Sequence, residues 1–395
     1  MRHSRTRLLV VLIAGVIGGL APALRAGTTA PAARDEEGVW KRAGEEEEVI
    51  LRSGFVVEDV QLEAYLAGVV ARLAATDGFD GDAFVVRVLK DPSLNAFALP
   101  HGSLFIHTGL LARMMNEAQL ASVLAHEMTH VTQRHGWKGY RSLKTKTGLL
   151  AVMSAASIAA GNFSGVAQLM GELGTIAAIS GYSQALEKEA DVEGWHRLAG
   201  AGYDTNEAPI TFRLLMADLE AHERKEPFFF GSHPKLAERE RNFRQLNPSK
   251  KNASPGETGK EKYAAAIMPV LLINGELEMR AGRHDAARDQ LWRYRAERPA
   301  DVRVRWLLGE NERLDKVAGN LTEARDLLDE AIALDPRFSQ SHRSLGLICY
   351  RAGELATAAV HLRSFLELEP AAHDRAYLET YLQQCESAQS QSSSP

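Results

Sequence analysis

The chain has 395 residues, of which 45% are hydrophobic and 25% charged, and its formal net charge is −5 at pH 7. This is ordinary globular composition with room for two or three domains. The acidic balance argues against nucleic acid or anionic lipid as the main partner.

The first 26 residues have the pattern of an export signal. A basic MRHSRTR segment precedes the apolar LLVVLIAGVIGGLAPAL, and LRA before Gly27 matches a cleavage site. We predict a signal peptide over residues 1–26, with an uncleaved membrane anchor as the alternative. Its removal takes away four arginines and changes the net charge from −5 to −9.

A helix, a small sheet and a second helix are predicted next. The segment Asp59–Leu73 places leucines and valines on one helical face. The runs AFVVRVL and GSLFIHTGLL are short and rich in β-branched and aromatic residues, so they predict strands. Asn116, followed three residues later by Gln119, is an N-cap signal that opens the second helix.

The second helix contains the stretch HEMTH. His126 and His130 lie about 40° apart around a helix and about 6 Å apart along it, so both can bind one ion. Zinc accepts neutral imidazole, and catalytic zinc sites keep a position open for water. Glu127 can take a proton from that water as general base. The spacing therefore predicts a zinc site with two ligands and a base.

A segment without charged residues follows, Thr147–Gly171. It is long enough to cross a membrane, but Ala, Ser and Gly dominate it and GN and SG interrupt it. We favour a closely packed helical hairpin, buried or touching a membrane surface, over a transmembrane helix.

The third zinc ligand is expected in GYSQALEKEADVEGW. Glu187 and Asp191 share a helical face, whereas Glu189 points about 200° away from Glu187. Glu187 is the best candidate ligand, and Asp191 can accept a hydrogen bond from a ligating histidine. The alternative is a solvated acidic face paired with Lys188.

The C-terminal part repeats itself after a polar linker at Asn247–Lys262. Three segments align without a gap: AGRHDAARDQLWRYRAERP, AGNLTEARDLLDEAIALDP and AGELATAAVHLRSFLELEP. Their shared Gly, Ala, Leu and Pro positions resemble tetratricopeptide repeats, whose period is about 34 residues. The spacing from Gly282 to Gly319 is longer than that from Gly319 to Gly353 by three residues, which we assign to the first helix of the middle repeat. Unrelated bundle helices are the alternative.

The end of the chain carries both cysteines and a polar tail. Cys349 and Cys385 can form one disulfide or remain two buried thiols. A capping helix, AYLETYLQQC, precedes a tail that we predict to be disordered.

Four segments in this order resemble peptidase family M48, which includes the CaaX prenyl proteases and HtpX: NAFALPHGSLFIHTGLL, LAHEMTHVTQRH, YSQALEKEAD and SHPKLAER. An export signal before the domain and repeats after it resemble the periplasmic type of this family. The resemblance implies one zinc ion per chain bound by His126, His130 and Glu187. It also implies a catalytic Glu127 and a supporting Asp191 beyond the ligands.

The resemblance implies three further roles. His233 in SHP stabilises the developing oxyanion or temporarily occupies the open zinc position, and Arg239 helps hold His233 or the oxyanion. The segment Ser103–His107 is the edge strand that pairs with an extended substrate through its backbone. The residues assigned to that role are Ser103, Leu104, Phe105 and Ile106.

Other polar residues near the motifs are given structural roles. His135 lies about 180° around the helix from His126 and is not expected to bind the same ion. His196 is similarly opposite Glu187. His101 is expected to be a plain surface histidine, with a second metal site as the alternative. The run Glu45–Glu48 is predicted to be a solvated helix start.

The sequence thus predicts an α-rich α+β zincin-like metallopeptidase domain with a small sheet, followed by an all-α tetratricopeptide solenoid. The predicted boundaries are a signal peptide at 1–26, the peptidase at 27–246, a linker at 247–262, repeats at 263–386 and a tail at 387–395. By resemblance, the protein is a periplasmic zinc endopeptidase acting on misfolded or stalled proteins in outer-membrane protein assembly and quality control. Its repeats would dock clients or the assembly machinery, with peripheral membrane contact allowed. The alternative is a repeat-based adaptor or chaperone with a latent or silent protease site.

Overall fold

A computed structural model describes residues 34–145, 182–221, 236–246 and 256–392. The predicted signal peptide and the uncharged segment Thr147–Gly171 lie outside the described residues. None of the described helices combines the length and the apolar character needed to cross a membrane.

Two helices precede the sheet: α1 (Arg34–Arg52) and α2 (Val60–Ala74). The Asp59 carboxylate caps α2 by accepting hydrogen bonds from the backbone N–H groups of Gln61 and Leu62. The predicted apolar face of α2 is confirmed, because Leu62, Leu66, Val69, Val70 and Leu73 are buried in the main core. The predicted glutamate run is not a helix start, since it lies in the C-terminal half of α1.

The sheet has three strands, β1 (Val85–Leu89), β2 (Ala96–Ala98) and β3 (Ser103–His107), in the spatial order β1-β3-β2. Strand β1 pairs with β3 in parallel and β2 pairs with β3 antiparallel. The prediction that Ser103, Leu104, Phe105 and Ile106 form an edge strand is therefore wrong: β3 is central, and its five side chains are all buried. In the described part of the sheet, β2 is the edge strand on that side.

The second predicted helix is confirmed as α4 (Glu117–Thr132), which follows a short helix α3 (Thr108–Arg113). The Asn116 side chain accepts from the Gln119 N–H, and the Gln119 side chain accepts from the Met115 N–H. Nearly every residue of α4 is buried, because α2, the sheet and later helices surround it.

The described residues of the N-terminal part contain four more helices: α5 (His135–Thr145), α6 (Gln184–Gly200), α7 (Glu207–Ala221) and α8 (Leu236–Leu246). Helix α6 packs along α4. At their crossing, a Cβ atom on Gly194 would lie 3.1 Å from the His126 backbone nitrogen. This glycine therefore allows α6 to approach the HEMTH segment closely.

The C-terminal part consists of helices in successive pairs. After the short helix α9 (Lys260–Ala266), the helices are α10 (Met268–Arg280), α11 (His284–Glu297), α12 (Val302–Leu314), α13 (Leu321–Leu334), α14 (Ser339–Arg351), α15 (Leu355–Leu368) and α16 (Arg375–Ser392). The first helix of each pair crosses the second at a glycine, where a Cβ atom would lie within about 3 Å of a leucine side chain. These contacts are Gly275 with Leu291, Gly309 with Leu328 and Gly346 with Leu362.

The three extra residues of the middle repeat are not in its first helix. Helices α10, α12 and α14 each have 13 residues. The turn after α12 runs from Asp315 to Asn320, whereas the corresponding turns in the other pairs have three residues. The Asp315 carboxylate organises this longer turn by accepting from the N–H groups of Val317 and Ala318.

The predicted linker does not separate two cores. Leu124 of α4 and Leu271 of α10 belong to one apolar cluster. The last residues of the predicted linker are ordered: Glu257 pairs with Tyr203, and the Ala118 N–H donates to the Thr258 carbonyl. The predicted disordered tail is also partly wrong, because α16 continues to residue 392.

Both cysteines are free, buried thiols within one small apolar cluster formed by the later helix pairs. The sequence left open a disulfide or two buried thiols, and the structure has two buried thiols.

Candidate metal centre

The site is built where α4 crosses α6. Helix α4 presents His126 and His130 one turn apart, and α6 presents Glu187 towards them. His126 Nε2 lies 3.0 Å from His130 Nε2 and 3.4 Å from Glu187 Oε2, and His130 Nε2 lies 3.7 Å from Glu187 Oε1. The sequence thus identified three side chains that the fold brings together.

These distances fit a metal ion. Three ligand atoms at about 2.0–2.1 Å from a tetrahedral ion lie about 3.3 Å from one another. All three residues are buried, and a carboxylate buried beside two imidazoles is costly unless a cation offsets its charge. Among the described residues, this is the one group of three or more His, Cys, Asp or Glu side chains with this spacing.

Asp191 and Arg239 contact Nδ1 of His126, the ring nitrogen that faces away from His130 and Glu187. His126 Nδ1 lies 3.0 Å from Asp191 Oδ1. Arg239, on α8, donates to the same carboxylate oxygen from Nε at 3.1 Å and Nη2 at 2.6 Å. Arg239 Nη2 is also 2.9 Å from His126 Nδ1. The guanidinium, predicted to hold His233 or an oxyanion, thus contacts Asp191 and His126; His233 lies outside the described residues.

This pairing sets the charges around His126. Burial raises the pKa of Asp191, but the Arg239 guanidinium and His126 outweigh burial and hold that pKa below its usual value. Burial and Arg239 lower the pKa of His126, but its hydrogen bonds to Asp191 and Glu187 raise it to about 9. Without a metal, the carboxylates therefore favour a positive charge at the position where a cation would bind.

Glu127 lies beside this cluster in a cavity. Burial, its largest influence, raises the pKa of Glu127 to about 8. The cavity wall is otherwise mostly apolar, and its lining residues are Ala96, Leu110, Val123, His126, Glu127, Phe212, Leu215 and Arg239. Because Ala96 belongs to β2, the edge strand of the described sheet borders the same cavity as the carboxyl group predicted to be the base. This position of β2 beside the cavity was not predicted from the sequence.

His135 is not among the three converging ligand residues, but it lies against the site and not on the opposite side of the helix as predicted. Helix α4 ends at Thr132, and Arg134 adopts a φ of +58°, so His135 does not continue the same helix. Its Nδ1 is 2.9 Å from Nδ1 of His130. Burial, assisted by Lys138, lowers the pKa of His135 to about 4, so the ring is neutral near pH 7. His196, by contrast, is exposed on α6.

His101 is not a plain surface histidine either. Its Nε2 lies 2.6 Å from a carboxylate oxygen of Glu47, and the Ser103 hydroxyl donates to the other oxygen at 2.7 Å. The side chains of His101 and Glu47 are each about 15% exposed. The contact anchors α1 to the turn between β2 and β3, and one glutamate of the predicted solvated run is used for it.

A helix-borne H-E-x-x-H motif, whose histidines converge with a glutamate from a neighbouring helix, defines the site of an HExxH metallopeptidase. The sequence family agrees with the geometry. Residues 60–247 match the family model described as peptidase family M48, and this part of the chain belongs to that family.

Several curated proteins share this similarity. The beta-barrel assembly-enhancing protease of Escherichia coli is 29% identical over 264 residues, which cover 62% of this chain and 54% of that protein. The metalloprotease LoiP of E. coli is 31% identical over 43% of this chain and 66% of its own length. The mitochondrial metalloendopeptidase OMA1 of Schizosaccharomyces pombe is 30% identical over 47% of this chain and 52% of its own length. The chain thus spans about half the length of the first of these relatives.

Proposed function

We propose that this protein is an exported zinc endopeptidase that cleaves misfolded or stalled proteins during outer-membrane protein assembly. The observation that carries the proposal is the convergence of His126, His130 and Glu187 beside the buried Glu127. Similarity to the beta-barrel assembly-enhancing protease supports the process, and the predicted signal peptide supports a periplasmic location.

Each residue has a distinct part in the proposed chemistry. Zinc bound by the three ligands would polarise the scissile carbonyl and make a water molecule more acidic. Glu127 takes the proton from that water and passes it to the leaving amine. Asp191 orients His126 through Nδ1, and Arg239 fixes the Asp191 carboxylate. His233 remains a proposed oxyanion or gating residue on the basis of family resemblance alone.

We further propose that the substrate pairs with β2. The His107 N–H donates to the Asn95 carbonyl, and the Leu99 N–H donates to the Ser103 carbonyl. In an antiparallel pair, hydrogen-bonded and non-hydrogen-bonded residues alternate, so Phe97 faces β3 like Asn95 and Leu99, and its two neighbours direct their backbone groups away from β3. Ala96 and Ala98 therefore point their N–H and C=O groups away from β3, on the side where an extended peptide can add a strand.

The helix pairs are proposed to be tetratricopeptide repeats that bind protein clients or assembly factors. Their recurrent glycine–leucine crossings and the alignable repeat segments support this assignment. Stacked helix pairs form extended surfaces suited to protein binding.

The test measures the zinc content and the proteolytic activity of purified protein lacking residues 1–26. We expect one zinc per chain and cleavage of an unfolded outer-membrane β-barrel protein, with cleavage lost in chelator and restored by zinc. A wild-type protein that binds no zinc when supplied with it contradicts the enzyme. A protein that binds zinc and delays client aggregation, but cleaves nothing, supports the adaptor alternative.

Zinc affinity is expected to rise with pH. Because the pKa of His126 is raised to about 9, a proton must leave this ring before the metal binds. Below that pKa the proton competes with the metal, and above it the competition ends. Release of one proton corresponds to up to about tenfold higher affinity per pH unit. Chelator competition between about pH 6.5 and 8.5 measures the slope; a flat profile contradicts the prediction.

A further inference from the structure

The second histidine of the site, His130, contacts His135, a residue that helical spacing alone would place on the opposite side of α4. Arg134 is the one non-glycine residue with positive φ among those the structure describes. This conformation is unfavourable for a residue with a Cβ atom, so packing must stabilise it. Its effect is to turn the chain at the end of α4 and return His135 to His130.

The contact between the two rings is specific. His135 is fully buried, and its Nδ1 lies 2.9 Å from His130 Nδ1. The Tyr182 ring stacks on His130, with centroids 4.3 Å apart and planes 22° from parallel. On its other side, His135 Nε2 lies 3.3 Å from Glu189 Oε2. Helical spacing places Glu189 about 200° around α6 from Glu187, so the two carboxylates reach the histidines from different sides of the helix.

Metal binding allows one arrangement of protons along the hydrogen bonds from His130 through His135 to Glu189. The His130 atom that faces His126 and Glu187 is Nε2, and it must be unprotonated to bind a metal. The His130 proton then resides on Nδ1 and is donated to Nδ1 of His135. A neutral His135 must carry its own proton on Nε2, from which it donates to Glu189. The opposite tautomer of His135 would place a donor against Nδ1 of His130 and favour a proton on the ligand atom.

We propose that His135, oriented by Glu189, is a positioning residue that holds His130 in its metal-binding tautomer and ring orientation. Asp191 performs the same task for His126, so each histidine ligand has one buried acceptor behind it. The inference rests on the proposed metal site but concerns the affinity and geometry of that site.

The first test replaces the acceptor while preserving the ring. His135→Phe retains a planar ring but cannot accept a hydrogen bond, whereas His135→Asn offers an oxygen near the position of Nδ1. Zinc affinity measured by chelator competition is expected to fall by about 10–100-fold in His135→Phe. His135→Asn is expected to recover most of that loss, although it fills the space less well.

Metal-free stability separates positioning from packing. Thermal unfolding in chelator should rank His135→Asn below His135→Phe, because the smaller side chain leaves a void. Zinc affinity should rank them in the opposite order. Equal affinities of His135→Phe and wild type overturn the proposal, as does an affinity order that follows metal-free stability. Failure of the wild type to bind zinc instead overturns the metal site itself.

A second test examines the tautomer and its partner. Nitrogen NMR of the zinc-loaded protein, with labelled histidine, is expected to show His135 protonated on Nε2 and bare on Nδ1; the reverse overturns the proposal. Glu189→Ala is expected to weaken zinc binding, by less than His135→Phe. The matched control is Glu193→Ala, an exposed glutamate one turn along the same helix, which should leave affinity unchanged.

Discussion

Glu127→Gln is expected to abolish proteolysis while leaving zinc bound. Glutamine has nearly the shape of glutamate but cannot accept a proton, and general-base catalysis typically contributes about 10²–10⁴-fold to rate. Glu127 supplies none of the three converging ligand atoms, so the metal site should remain intact. We therefore expect a cleavage rate lower by about 10³-fold with one zinc still present per chain.

The measurement requires both quantities on the same sample. Cleavage of an unfolded client is followed alongside zinc content and chelator competition. Glu193→Gln provides the same chemical change at an exposed position of α6 and should retain full activity. If Glu127→Gln cleaves at the wild-type rate, Glu127 is not the base. If Glu127→Gln loses zinc as well as activity, the loss of activity cannot be assigned to proton transfer. The assignment of Glu127 as a base that does not contribute to metal binding is then wrong.

The same variant separates the enzyme from the adaptor alternative in cells. An enzyme predicts that Glu127→Gln, produced at the wild-type level, fails to remove stalled outer-membrane proteins. An adaptor predicts that it supports assembly as well as wild type does. Since the variant retains its folded helix pairs, client binding through the proposed repeats is preserved in both cases.

The three converging side chains could be predicted from sequence because their spacing within each helix is local. His126 and His130 are fixed by helical spacing, and Glu187 with Asp191 repeats that spacing on a second helix. The helix pairs could also be predicted, since alanine recurs in the aligned segments at Ala287, Ala324 and Ala358, and all three alanines are buried. In each case, the pattern within a short segment carries the information.

The errors concern features that depend on distant contacts or unusual backbone. The run GSLFIH predicts a strand but not its place in the sheet. The strand β3 is central because it pairs in parallel with β1, although β2 lies between these two strands in the sequence. His135 was misplaced because arginine gives no signal for the positive φ that redirects the chain. The repeat spacing gave the number of extra residues in the middle pair but not their place, which is the turn stabilised by Asp315.

The contacts of Glu47 could not be predicted from the sequence either. Four consecutive glutamates give no indication of which one turns inwards, because that choice depends on where α1 meets the β2–β3 turn. The structure selects Glu47, which contacts His101 and Ser103. A side chain within a charged run can therefore be largely shielded from solvent when a partner from another element reaches it.

Arg239→Met is expected to destabilise the metal-free protein by about 3–5 kcal/mol, because it removes the guanidinium from a charged, buried Asp191 carboxylate and leaves, among the described residues, only the contact with His126. Asp191→Asn should have an effect of similar size for the converse reason. The two side chains are at most 5% exposed, and two guanidinium nitrogens donate to one carboxylate oxygen. The double variant removes both charges, so its destabilisation should be far smaller than the sum of the single effects.

Denaturant unfolding in chelator measures this cycle without a contribution from zinc. Arg241→Met, on the exposed side of the same helix, is the matched control and should cost little. Additive effects of the two single changes would show that Arg239 does not act through Asp191. Catalysis gives an independent comparison, because an arginine that only fixes Asp191 should matter little once Asp191 is neutral. If the double variant recovers stability and zinc but remains far less active than Asp191→Asn alone, Arg239 also contacts the reacting substrate, as the family resemblance implies.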